Sequence, residues 1–228
     1  MGTPPAGPFD AWQADGYLLL AGFADVDDVA PAGTAPPGAA APGSARPAGV
    51  DDVADVVRDE RVLDLVGQVL GDPVDVLGGH LVVTQPGEQG PPWHQGAARM
   101  AGPAPPDRAA VVRLAVTEAT LVGGCPWVVP GSHTGPLRPH RPARRSQRAT
   151  GGDGRNGGSG GDGRNGGGDV EIVARDTTGA VPVVMAPGDL LLLDGRLVHR
   201  ATDNHSRRAG AALVGHYGRW VSTRQVTG

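Results

Sequence analysis

Gly188-Asp189-Leu190-Leu191-Leu192-Leu193-Asp194-Gly195-Arg196-Leu197-Val198-His199 reads as two short apolar strands, 189–193 and 197–201, separated by a glycine turn. Runs this short, rich in Leu and Val and bounded by Gly or Pro, mark a loop-rich β domain. The pattern recurs at 74–84, 110–117, 126–129, 170–174, 181–185 and 210–217. Helices are expected only in front of these strands. Phe9 to Ala24 reads as a short helical start and then an apolar run, Tyr17-Leu18-Leu19-Leu20, ending at Gly22; Asp25 to Ala30 could open a second helix. Asp51 is placed to cap a further helix. Its apolar positions Val53, Val56, Val57, Leu63, Val66, Val69 and Leu70 recur near the helical period, and Gly71 and Pro73 stop it. Helices in front and about eight strands behind predict a mainly β protein with N-terminal helices. The fold expected is a double-stranded β-helix, a cupin-like jelly roll.

The 228 residues suit a single domain, 1–228, with two flexible segments. Glycine (38) and proline (22) concentrate at about 31–49 and 151–168, where linkers rather than core are expected. The second segment repeats Gly-Gly-Asp-Gly-Arg-Asn-Gly-Gly, at 151–158 and 160–167. A calcium-binding β-roll has that spacing, but its apolar position here is Gly158 and Gly167, so no core could stack. All 20 basic residues are Arg, and with 24 acids the net charge is −4, too weak a field for a nucleic acid polymer. No run of 18 apolar residues exists and the first residues do not form a signal peptide, so a soluble, cytoplasmic protein without membrane contact is expected. Cys125 is the only cysteine, which excludes an intrachain disulfide and a cysteine-based zinc site. It is most simply a small core residue.

Three stretches hold the side chains that can do chemistry: Gln85 to Gly96, containing Trp93-His94-Gln95-Gly96; Gly123 to His133, containing Cys125-Pro126-Trp127-Val128-Val129-Pro130-Gly131-Ser132-His133; and Gly188 to Arg208, containing His199 and Asn204-His205-Ser206. A histidine ending one strand can meet another about a hundred residues later across the mouth of a β-barrel. Neutral imidazoles suit first-row metals such as iron. On composition alone, surface or core histidines are the simpler explanation.

The order and wording of the stretches resemble the phytanoyl-CoA dioxygenase-type family of iron and 2-oxoglutarate oxygenases, across about residues 9–220 and most closely in the three stretches. That resemblance implies a double-stranded β-helix holding Fe²⁺ through His94 and His199, with 2-oxoglutarate and O₂ as cosubstrates. The family's third ligand is an Asp two residues after the first histidine, and here that position is Gly96. Gln95, between them, should point the other way on an extended segment. Glu88 and Asp107 are the nearest acids in sequence, neither obviously placed to substitute.

Gly96 leaves alternatives open. The sequence resembles the halogenase branch, which carries His-x-Gly or His-x-Ala and binds chloride in the vacated place. It also allows a hydroxylase that uses water there, or a binding module without catalysis. The halogenase expectation is oxidative decarboxylation of 2-oxoglutarate to succinate and CO₂, with chlorine delivered to an unactivated aliphatic carbon. The far carboxylate of 2-oxoglutarate meets, in the family, an Arg at the position of Gly210 here. Arg208, two residues earlier, would share its face on a strand, with Arg207 and Arg219 as alternatives. Gln85 and Trp127 are expected in the pocket wall, although core packing explains Trp127 as well. His133 is expected to fix a turn, and His80, His140, His205 and His216 have no independent claim.

Residues 138–148 place five arginines in eleven positions, among them Arg141, Arg144 and Arg145. A solvated basic loop and a clamp for an anionic small molecule both fit. With the clamp, the chain resembles the nucleotide group of halogenases, and that resemblance implies a deoxyadenosine-type nucleoside monophosphate as substrate; an amino acid, free or carrier-bound, is the competitor. Oligomeric state stays open.

Overall fold

The computed structural model describes residues 8–25, 50–100, 106–143, 169–173 and 176–220. The two segments expected to be flexible, and all but the first residue of the helix expected over 25–30, lie outside these. Helix α1 (Pro8–Asp15) breaks at Gly16, whose φ of +79° only glycine adopts freely, and the chain turns into strand β1 (Tyr17–Leu20). A Cβ at Gly16 would also collide with the ring of His133.

The periodic segment expected as one helix is two, α2 (Val50–Val57) and α3 (Glu60–Leu70). The break has a local cause. Asp59 takes a non-helical ψ of 127°, and its carboxylate accepts the backbone N–H of Arg61 at 2.8 Å, which caps α3. Asp51 therefore lies within α2, not at a cap. Gly71, with φ +80°, ends α3 as expected, its N–H donating to Gly67 O at 2.7 Å.

The strands follow as β2 (Asp75–Thr84), β3 (His94–Gln95), β4 (Arg108–Ala115), β5 (Pro126–Val128), β6 (His140–Pro142), β7 (Val170–Ile172), β8 (Val181–Pro182), β9 (Leu190–Asp194), β10 (Val198–Ala201) and β11 (Gly210–Arg219). One antiparallel sheet runs β1-β9-β4-β11-β2, the other β3-β10-β5-β8, and β6 pairs with β7. Crossovers between the two sheets give the expected jelly roll. Beyond the strands read from sequence, β1, β3 and β6 are short additions that periodicity could not resolve.

The Leu190–Leu193 run is apolar throughout because both of its faces are buried. Leu190 and Leu192 meet the helix layer, with Trp12, Val53, Val66 and Leu70; Leu191 and Leu193 face the second sheet, with Val111, Val128, Leu197 and Val214. The Tyr217 hydroxyl donates to Val57 O at 2.9 Å and ties α2 to β11. Among the described residues, no helix is long and apolar enough to cross a membrane.

Asp59 is the hinge between α2 and α3, so Asp59→Ala should cost about 1 kcal/mol of stability in urea unfolding with the m-value unchanged. A variant as stable as the parent would mean that the break does not depend on the cap.

Candidate metal centre

The two histidines singled out in sequence lie directly opposite one another, His94 on β3 and His199 on β10. Their ring centroids are 4.3 Å apart at an interplanar angle of 50°. Each ring is fixed by the carbonyl two residues before it. His94 Nδ1 donates to Pro92 O at 2.8 Å, and His199 Nδ1 donates to Leu197 O at 2.9 Å. With the proton on Nδ1, each Nε2 keeps its lone pair, the arrangement in which an imidazole binds a metal. Both side chains are buried, and burial before any other cause holds both pKa values down, that of His94 well below its ordinary range and that of His199 at about 4. Neutral rings are the metal-binding form, so burial prepares the pair.

Gln95 does point away from the pair. Its amide bridges two backbone groups, donating to Arg196 O at 2.5 Å and accepting Arg138 N–H at 2.8 Å. Gly96 opens a 3₁₀ turn, Gly96–Arg99. A Cβ there would lie 3.8 Å from His199 Cε1 but only 2.7 Å from Val111 Cγ2. The glycine therefore faces the pair, and a valine methyl crowds the start of any longer side chain. Among the described residues, no three His, Cys, Asp or Glu groups gather at a single metal position. Glu88 accepts Gln85 N–H at 2.7 Å in a turn, and Asp107 is exposed. The donor set fits iron through two imidazoles, with no third protein ligand among the described residues.

Other expectations fare unevenly. Trp127 packs half-buried against the core between the sheets, and its indole Nε1 is buried with no partner. Gln85 is exposed, outside that core, because strand β2 has already ended at Thr84. Arg208 is exposed in the bend before β11, so the strand geometry invoked to bring it beside Gly210 is absent. Arg207 is exposed too, and Arg219 donates to Leu70 O at the opposite end of β11. Arg141 is bound to the buried Glu171 at 2.6 Å across β6 and β7, while Arg144 and Arg145 lie outside the described residues.

Several motif residues turn out to build the frame. Asn204 Nδ2 donates to Thr84 O and Arg208 O, and its Oδ1 accepts from Ser206. Ser132 Oγ accepts Val198 N–H at 2.9 Å, and Asp189 accepts the N–H groups of Gly22 and Ala186. Asn-x-Ser and Gly-Asp thus hold strand ends, and their presence carries no information about activity. His133 contacts Gln13 O at 3.2 Å, holding the loop to α1 as expected of a turn-fixing residue.

Sequence reasoning passed over Arg113 and His216, both on the face of the major sheet that looks at the second sheet. His216 stacks on His80 with centroids 5.5 Å apart, and burial pushes it down to about 3. The signal for Arg113 was available: one charge inside Ala109-Ala110-Val111-Val112-Arg113-Leu114-Ala115, an otherwise apolar strand.

The jelly roll sets two buried, tautomer-fixed histidines across adjacent strands as a candidate metal centre, and comparison with known proteins adds the family. The family model for phytanoyl-CoA dioxygenase matches residues 38–210, and the chain belongs to that family. Phytanoyl-CoA dioxygenase domain-containing protein 1 of Bos taurus is 32% identical over 103 residues, 45% of this chain and 31% of that protein. The crystal structure of EvdO2 from Micromonospora carbonacea var. aurantiaca, complexed with 2-oxoglutarate, is similar over 95% of this chain and 91% of its own, with a TM-score of 0.65 at 22% identity. The epimerase SnoN, in complex with Fe³⁺, alpha-ketoglutarate and nogalamycin RO, is similar over 92% of this chain and 81% of its own, with a TM-score of 0.62 at 16% identity.

The depressed histidines make a pH prediction for chelator-treated protein. Below about pH 6.5 the unfolded chain takes up protons that the folded His199 refuses until about pH 4, so stability is full above that window and falls as pH drops through it. His199→Leu should remove on the order of 2 kcal/mol from the stability lost between about pH 7.5 and pH 5. Equal losses in urea unfolding of both proteins would contradict the assignment.

Proposed function

We propose that this chain is an iron(II)- and 2-oxoglutarate-dependent enzyme that chlorinates an unactivated aliphatic C–H of a small molecule, in the setting of natural-product biosynthesis. The observation that carries the reading is the pair of buried imidazoles, each with Nδ1 engaged and Nε2 free, beside a glycine. When bound, iron with 2-oxoglutarate and O₂ supplies an oxidant able to take hydrogen from such a carbon. The chain's part is to place it. His94 and His199 would hold the metal through Nε2. Gly96 withholds a carboxylate, which leaves a position for chloride. Val111, whose methyl stands against the Gly96 position, gives that side of the pair an apolar wall. Substrate must then be held so that chlorine and not oxygen is nearest the carbon, a matter of about an ångström.

A second reading, hydroxylation with water in the place of the carboxylate, draws support from one contact. Val111 Cγ2 stands 2.7 Å from the Cβ position of Gly96, which limits the room for an anion. For the substrate, an anionic small molecule is our reading. Glu171 already neutralises Arg141, so recognition of a nucleoside monophosphate would fall on Arg144 and Arg145; a free or carrier-bound amino acid is the competitor.

Replacing either His94 or His199 by Ala should abolish the visible absorption that Fe²⁺ and 2-oxoglutarate develop together under anaerobic conditions. Loss of equal depth on replacing a carboxylate would mean that an acid, too, ligates iron. Turnover should require chloride and give the chlorine isotope pattern in product mass spectra; a hydroxylated product formed equally well without halide favours the second reading. Gly96→Asp alone should hold iron poorly because Val111 blocks the new side chain. Gly96→Asp with Val111→Ala should bind iron at least about tenfold more tightly than Gly96→Asp, since relieving overpacking recovers about 1–3 kcal/mol.

A further inference from the structure

Side chains of β4 alternate between the helix layer, which takes Val112 and Leu114, and the space between the sheets, which takes Val111 and Ala115. Arg113 shares the parity of Val111 and Ala115, so its guanidinium stem runs between the sheets. Its Nε is buried and has no hydrogen-bond partner. Among the described residues, no carboxylate forms an ion pair with it. Burial lowers its pKa to about 10, which still leaves it charged at neutral pH. Cys125, which also acts on it, is pushed up by burial and supplies no negative charge. A desolvated guanidinium without a counter-charge is costly, and in a working protein that cost is met by an anion.

A small cavity of about 10 Å³ opens beside it. The cavity beside Arg113 is walled by Thr84, Thr117, Glu118, Gly124 and Gly210. Thr117 Oγ1 accepts Ala211 N–H at 2.8 Å, which leaves the hydroxyl proton free to donate. Nothing but Gly123 O, at 3.5 Å, approaches the Cβ position of Gly210, so that side of the cavity is open. Glu118 is exposed and unpaired with Arg113. Val111, two residues back on the same strand face, touches the glycine beside the histidine pair. Two residues of strand span about 6–7 Å. The four carbon–carbon bonds of a five-carbon diacid span about 5 Å in zigzag.

We propose that Arg113, on β4, receives the far carboxylate of the 2-oxo acid whose keto end lies at the His94–His199 centre. The chain would then select a dicarboxylic cosubstrate through β4, with Gly210 on β11 making the room. This rests on the iron and 2-oxoglutarate reading above.

Calorimetric titration of the full chain under anaerobic Fe²⁺ tests it with two ligands, 2-oxoglutarate and 2-oxopentanoate, which lacks only the far carboxylate. The parent should prefer 2-oxoglutarate by about a hundredfold, in line with the loss of a buried charged partner. Arg113→Met should bind both acids alike, close to the parent's affinity for 2-oxopentanoate, and Arg113→Lys should recover part of the preference. Without ligand, Arg113→Met should melt at or above the parent, because an unpaired buried charge has been removed, and 2-oxoglutarate should no longer raise its melting temperature. Undiminished preference in Arg113→Met would overturn the assignment. So would a variant that melts well below the parent or does not fold, which would make Arg113 a structural residue. A parent that binds 2-oxopentanoate as tightly as 2-oxoglutarate removes the role of Arg113 alone, whereas a parent that binds neither removes the cosubstrate reading and this inference with it.

Discussion

Each imidazole of the central pair donates its Nδ1 proton to the carbonyl two residues before it, and the rest of the site depends on that contact. The bond fixes which nitrogen is free, and the antiparallel register of β3 and β10 sets His94 opposite His199. Burial keeps both rings neutral. Register, tautomer and desolvation act on the same two atoms, so little further design is needed to make a metal-binding pair. Neighbouring polar residues serve that register. Gln95 ties β3 to the 138 segment and the 196 turn, and Ser132 holds the start of β10.

The same economy explains which motif residues are frame and which are site. Asn204, Asp189 and Ser132 spend their hydrogen bonds on backbone groups at strand ends. A protein could keep them all and lose its chemistry. Bonding capacity is left unspent at the Nε2 atoms of the pair, and, among the described residues, at buried atoms that include Arg113 Nε, Arg219 Nε, Trp127 Nε1 and His216 Nδ1. Unspent capacity in a buried place is where ligand chemistry is to be sought.

The strand pattern was legible because Leu and Val runs between glycine turns have few other uses. The histidine pair and the missing acid at 96 were legible from motif order. What sequence could not show were events decided by one local bond or by three-dimensional parity. Asp59 splits a continuous helical period because its carboxylate finds the N–H of Arg61. Arg208 was assigned by extending a strand before its true start at Gly210, and Gln85 stands just beyond the end of β2 at Thr84; a side chain off the end of a strand has no fixed face. Arg113 was missed for the opposite reason, as a charge in an apolar strand whose inward parity is evident only once the strand is seated between two layers.

X-ray absorption at the iron edge, on protein loaded anaerobically with Fe²⁺, 2-oxoglutarate and bromide, tests the central claim most directly. Two imidazole nitrogens and a bromine are expected among the nearest neighbours of iron, with no protein carboxylate. Iron surrounded only by nitrogen and oxygen, with a carboxylate of the chain among them and no bromine, would contradict it.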